Sequence, residues 1–230
     1  NRMMQRSRNT RKNGYAYKKP NKNALATKTY VDRSVRRHTE AKRTSDDISQ
    51  ALVTGTLFDS LLLGAVSGGG GENNRLGNQV QLLSTQFRIV VNSVNTTKTW
   101  FLRYACVKYL TTEARTTKIF QDAGNFPVDF GTGGDIHRVI YPLNKRRIEV
   151  LYDKTLKISS DNSADGNDMI REISPLIKIN ERVSFEAAGA PTDGVINPRH
   201  HWIWWMECED PSETAGLDTV GMINTWFTDS

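Results

Sequence analysis

From about residue 48 to the C-terminus, apolar and polar positions alternate in short runs rich in Val, Ile, Thr and aromatic residues. Clusters of Gly, Pro, Asn and Asp separate the runs. Period-two alternation of this kind marks half-buried strands, and it predicts strands over 48–64, 78–95, 99–111, 146–159, 170–179, 182–187, 200–208 and 218–228. The row over 146–159 is the clearest. Ile148, Val150, Tyr152, Leu156 and Ile158 share one face, and Glu149, Asp153, Thr155, Lys157 and Ser159 the other. Lys154 interrupts the apolar row and predicts a bulge or bend there. Two runs, 99–111 and 201–208 with Trp202, Trp204 and Trp205, are apolar on both faces. They predict central strands covered on both sides, or strands whose outer face meets another subunit. Turns are expected over 161–167 and 193–198, and a helical turn around 114–123 in the long connection 112–135. An all-β fold follows: an eight-stranded antiparallel jelly roll of two packed four-stranded sheets.

The first 44 residues lack this pattern. Residues 1–26 carry eight bases, no acid and few aliphatic side chains. Such a segment buries too little apolar surface to offset its ordering entropy, which predicts disorder in the free chain. A short helix is expected over 28–43. Thr29 and Asp32 resemble a capping start, Val31 and Val35 lie one turn apart, and Arg36 precedes Glu40 at i, i+4. Arg33, Arg36 and Arg37 make one face cationic. The apolar stripe is thin, so this helix needs neighbouring helices or nucleic acid to be stable. The organisation read from the sequence is thus an arm, 1–44, and a folded domain, 45–230.

Charge sharpens that division. Of 31 Lys and Arg and 25 acids, 14 bases and two acids fall in residues 1–43, a net of +12 against −6 for the remainder. A cationic arm on a mildly acidic body points to a polyanion held by the arm alone; the bland alternative is a solvated tail. The expected nucleic-acid-binding residues are Arg2, Arg6, Arg8, Arg11, Lys12, Lys18, Lys19, Lys22, Lys28, Arg33, Arg36, Arg37, Lys42 and Arg43. Tyr15 and Tyr17 are placed to stack on unpaired bases. Histone-like and ribosomal proteins carry basic charge on the folded body as well, which this chain does not.

The remaining chemistry is sparse. Two cysteines about a hundred residues apart, Cys106 and Cys208, form neither a disulfide framework nor a zinc pattern. Gly68 to Gly71 lack the Lys-Ser/Thr of a phosphate loop. His200 and His201 are adjacent on a strand and point to opposite faces, so one ion cannot take both. The longest apolar run, at Leu61 to Leu63, falls far short of the ~20 residues of a membrane span, and no signal peptide opens the chain. With no nucleophile–base arrangement in view, no enzyme is expected. The loop from residue 161 is a candidate calcium site. Asp161, Ser163 and Asp165 take positions 1, 3 and 5, with Gly166 at 6 and Glu172 at 12. Its flanks, however, read as strands, and Asp168 stands where an apolar residue is usual.

Several stretches together resemble a known family. They are the helix Val31 to Lys42, then Asn74-Arg75-Leu76-Gly77-Asn78-Gln79-Val80 running into a long strand, and Phe101-Leu102-Arg103-Tyr104. They end with Asn144-Lys145-Arg146-Arg147 running into a strand that contains Tyr152-Asp153-Lys154-Thr155. Over roughly 28–228 the chain is similar to the coat proteins of satellite tobacco necrosis virus and of circular Rep-encoding single-stranded DNA viruses. The resemblance implies a single jelly roll with sheets BIDG and CHEF, and self-assembly of about 60 copies into a closed icosahedral shell. It also implies inward arms whose helices cluster near threefold axes, with Arg33, Arg36 and Arg37 meeting the genome, either single-stranded DNA or RNA. About 60 arms of this charge would offset roughly 700 phosphates. The implied location is the virion. The basic clusters also have the composition of nuclear localisation signals, which allows a nuclear stage in the host. The alternative reading is a cellular lectin- or cupin-like jelly-roll binding module with a basic tail.

Overall fold

The computed structural model describes residues 41–64, 66, 74–93, 98–110, 116–121, 127–131, 137–159, 170–185, 195–196 and 199–229. The chain divides after residue 40, and the folded unit described is 41–230. The arm residues from Arg2 to Arg37, residues 28–40 of the helix expected over 28–43 and loop residues Asp161, Ser163 and Asp165 lie outside the described residues.

Twelve strands form among the described residues: β1 (Lys42–Val53), β2 (Phe58–Leu61), β3 (Gln79–Ser93), β4 (Thr99–Tyr109), β5 (Phe120–Gln121), β6 (Pro127–Val128), β7 (Ile148–Ser159), β8 (Ile170–Ile173), β9 (Leu176–Phe185), β10 (Val195–Ile196), β11 (Arg199–Cys208) and β12 (Ala215–Asp229). One short helix, α1, spans His137–Ile140. The protein is all-β, with antiparallel pairing throughout. A six-stranded sheet runs β1-β12-β3-β9-β10 with β8 also on β3. A four-stranded sheet runs β2-β11-β4-β7, and β5 pairs with β6 in a two-stranded sheet while its Phe120 also bridges to Leu143.

Several boundaries differ from those expected. The strand anticipated over 48–64 is two strands in different sheets. Between them Gly55 adopts φ +71°, a conformation that costs glycine little and turns the chain across the sandwich. Strand β1 begins at Lys42, so Lys42 and Arg43 belong to the sheet and not to the helix expected over 28–43, and the folded unit starts ahead of residue 45. The reason is that β12 runs on to Asp229 and offers Lys42 and Arg43 their partners, Phe227 and Trp226. The break expected near 180 falls instead at Ser174-Pro175, where Pro175 has no N–H to give a ladder. Residue 180 is a bulge within β9, Asn180 at φ +57°, opposite the slip between Leu82 and Ser84 of β3. Of the helical turn expected around 114–123, residues 116–118 form a turn and Phe120 and Gln121 are strand, while 114–115 and 122–123 lie outside the described residues. The turn expected over 193–198 holds the two-residue β10.

Two apolar clusters organise the body. The larger lies between the sheets and takes Val80, Phe87, Ile89, Leu217, Ile223 and Phe227 from one and Trp100, Leu102, Cys106, Trp202, Trp204 and Met206 from the other. Within it Phe87 stacks on Trp202 at 4.9 Å between ring centroids. The second cluster lies on the outer face of the four-stranded sheet, where Ala105, Val107, Ile203 and Trp205 meet Ile119, Phe120, Phe130 and Leu143. The strands apolar on both faces are therefore covered by the chain's own connection between β4 and β7.

Strand β7 serves both clusters. Its register against β4 slips between Cys106 and Val107, leaving Leu151 as the extra residue. Ile148 and Val150 therefore pack in the outer cluster, while Tyr152, Leu156 and Ile158 pack between the sheets. The bulge sits at Leu151, three residues before Lys154, which stays in register opposite Tyr104.

Candidate nucleic-acid interface

The two arm-junction cations that the structure describes have different fates. Lys42 points toward the sandwich interior, its side chain 14% exposed, and its Nζ lies 2.6 Å from Asp229 Oδ2. It also donates to the Asn74 carbonyl at 2.5 Å. Its charge is spent inside the fold. Arg43 faces the opposite way, is exposed, and stands opposite Trp226.

Arg43 begins a transverse row. Trp226 pairs with both Arg43 and Ser84, and Ser84 pairs with Lys178. The four side chains share the outer face of the six-stranded sheet, because their neighbours Thr85, Ile177 and Phe227 point into the core. In the next row Thr228 and Arg182 flank Gln81. Lys178 and Arg182 are exposed and Trp226 is half-buried. In the other direction come Ser45, Asn224, Gln86 and Leu176, with Ser45 Oγ donating to Asn224 Oδ1 at 2.8 Å. Among the described residues, carboxylates enter this face farther along, at Asp47, Asp218 and Glu172. Sequence reasoning missed Lys178, Arg182 and Trp226, since only strand pairing brings positions so far apart into one row. The available signal was an exposed cation at alternate positions of the 176–185 run.

The motif residues that carried the family resemblance mostly hold the fold. Arg75 is buried, its guanidinium 4.1 Å above the Phe185 ring, and it donates to the Gly77 carbonyl at 2.7 Å. Asn144 caps the turn before β7, its Oδ1 accepting from the Arg146 N–H at 3.1 Å. Arg147 donates to the Thr117 carbonyl at 2.6 Å, while Lys145 and Arg146 remain exposed.

Buried ionic groups tie the 130–141 segment to the four-stranded sheet. Arg103 holds Asp153 with two hydrogen bonds and donates to the Val139 and Tyr141 carbonyls at 3.0 and 2.5 Å. Arg138 meets both Glu207 carboxylate oxygens at 3.0 and 3.1 Å, and its Nε donates to the Phe130 carbonyl. Glu207 is wholly buried and satisfied by this partner.

His200 and His201 do face opposite sides. His200 lies 3.2 Å from Glu181 Oε2, and His201 Nδ1 lies 3.2 Å from Asp59 Oδ2. Burial pulls the His200 imidazole below its ordinary pKa, against the opposing pull of Glu181. Burial also works against the charge of neighbouring Lys108. The Glu181 carboxylate, 2.6 Å away, and Glu149 more than offset it, so the Lys108 pKa rises. Desolvation pushes the Cys106 thiol up to about 12, so it is a buried apolar group and not a nucleophile at neutral pH. Of the candidate calcium ligands only Glu172 is described, exposed and paired with Arg88 at 3.4 Å. Among the described residues no cluster of three or more His, Cys, Asp or Glu is placed to hold a metal.

No family model matches the chain, and no curated protein matches it.

Proposed function

We propose that this chain is the coat protein of a small icosahedral virus, with a jelly-roll shell domain that self-assembles and a basic arm that packages the genome. The observation that carries the reading is the strand order. With β8 and β9 taken as one interrupted strand and the two-residue β5, β6 and β10 left out, the strands lettered B to I in chain order give B-I-D-G for β1-β12-β3-β9 and C-H-E-F for β2-β11-β4-β7. That is the order the family resemblance implies. The charge split of +12 before residue 44 and −6 after it supports an arm that neutralises phosphates. The role is structural and not catalytic, the partners are other copies of the chain and a single-stranded genome, and the location is the virion.

The apolar character of β4 and β11 lends no support to assembly, because the chain covers both faces itself. Shell contacts must come from other surfaces. Sedimentation of the purified protein tests the reading. A single megadalton species at neutral pH and modest salt is expected. A monomer of 25.9 kDa under every salt and pH tried would overturn it.

A further inference from the structure

We infer that the outer face of the six-stranded sheet is a second contact surface for single-stranded nucleic acid, with Trp226 as a stacking platform and Arg43, Lys178 and Arg182 as phosphate contacts. The inference rests on the packaging role proposed above and assigns part of it to the folded unit. Neighbouring strands lie about 4.8 Å apart, so the stems of Arg43 and Lys178, three spacings apart, are separated by about 14 Å with the indole between them. Gln81, Ser84, Gln86 and Asn224 surround these groups, and within these rows no carboxylate shares the face among the described residues. Glu181, the nearest acid in sequence, points inward to Lys108 and His200.

This is the chemistry of a single-strand platform. A ring offers its face to any unpaired base, and flanking cations track the backbone without reading sequence. A duplex presents no free base to the indole. The body is net acidic, so an acid-free cationic patch on it is a local feature and not a reflection of overall charge. Arg43 is the second residue of β1, two residues from Ala41, where the folded unit begins.

Tryptophan emission reads the site directly. Of the five tryptophans, Trp100, Trp202, Trp204 and Trp205 are at most 2% exposed, which leaves Trp226 as the one that a base can reach. Dissociated full-length subunits are titrated with an oligothymidylate of about twenty nucleotides, longer than single-strand sites usually need. Tryptophan emission is followed in one sample and anisotropy of a labelled strand in another. Binding should quench the emission, and Trp226→Phe should abolish the quench while keeping affinity within about twofold. Trp226→Leu should bind about tenfold more weakly. Lys178→Gln with Arg182→Gln should lower the slope of log affinity against log salt by roughly 1.4. If the labelled strand binds while wild-type emission stays constant, or the double variant keeps the full slope, the inference is overturned and the packaging role stands. If neither signal changes, both fall. An emission that depends on protein concentration without any strand means a second copy covers Trp226, and this also overturns the inference.

Discussion

Arg103 and Asp153 form a two-pronged ion pair across neighbouring strands, Nε to Oδ1 at 2.9 Å and Nη2 to Oδ2 at 2.5 Å, on the outer face of the four-stranded sheet. The other guanidinium nitrogen holds the carbonyls of Val139 and Tyr141. One side chain thus joins β4, β7 and the segment that closes over the second core.

Arg103→Met should therefore destabilise the fold by about 2 kcal/mol, since it leaves two carbonyls and the partly solvated Asp153 carboxylate without their donor. Arg103→Lys keeps the charge but loses the fork and should cost about 1–2 kcal/mol. Urea denaturation measures both. Limited proteolysis of Arg103→Met should cut first within 137–147. Equal stability of the three proteins would show that the pair contributes nothing.

The pairing also shows what the sequence could reveal. Arg103 and Asp153 both sit in stretches that carried the family resemblance, yet sequence alone gave no reason to connect them. The long strands were legible because alternation in β3, β7 and β12 survives partial exposure. The two-sided burial of β4 and β11 was legible as well, but not what covers the second face, because the covering segment has no periodicity of its own. A bulge at Leu151 flips the apolar row of β7 between two cores without disturbing the pattern, so Ile148 and Ile158 looked like neighbours on one face. Gly55 hid a change of sheet inside one apolar run. Lys42 and Arg43, both expected among the nucleic-acid-binding residues, are separated by the pleat. One is consumed by Asp229 and the other is exposed beside Trp226.

Gly216 opens β12 directly beneath Trp100, and a Cβ there would overlap the indole. Trp100 is fully buried between the sheets and has no room to yield. Gly216→Ala should lower stability by about 2 kcal/mol. Thermal unfolding followed by near-ultraviolet circular dichroism checks it, and an unchanged melting temperature would count against this packing.

His200 gives a pH dependence of defined sign. Burial lowers its pKa in the folded protein below the ordinary 6.5. As pH falls through 6.5 the unfolded chain takes up a proton that the folded chain refuses, so stability is lost on acidification. The loss stops growing once pH passes below the folded-state pKa. His200→Gln should flatten stability between about pH 7 and pH 5 relative to wild type. Glu181, Lys108 and Glu149 are the charged groups that act on the imidazole. Parallel pH profiles for the two proteins would refute the assignment.

The arm should supply most of the nucleic-acid affinity, with steep salt dependence and little sequence preference, because flexible Lys and Arg contact phosphates and release counterions. Deleting residues 1–27 removes eight bases and no acid and should flatten the salt slope strongly. Replacing Arg33, Arg36 and Arg37 together by Ala in the full chain should remove a smaller further part. Fluorescence anisotropy of a labelled single strand, measured on dissociated subunits across a salt series, reads both effects. A chain starting at residue 44 that keeps full affinity and slope would exclude the arm as the packaging element.

In the proposed role, copies of this chain enclose nucleic acid through their arms. The most direct measurement is electron microscopy of gradient-purified protein after nuclease treatment, followed by extraction and typing of any protected strand. The full-length protein should form uniform closed particles that hold nuclease-resistant nucleic acid, and removal of residues 1–40 should leave particles largely empty of it. A full-length protein that forms no particles, or forms particles without protected nucleic acid, would contradict it.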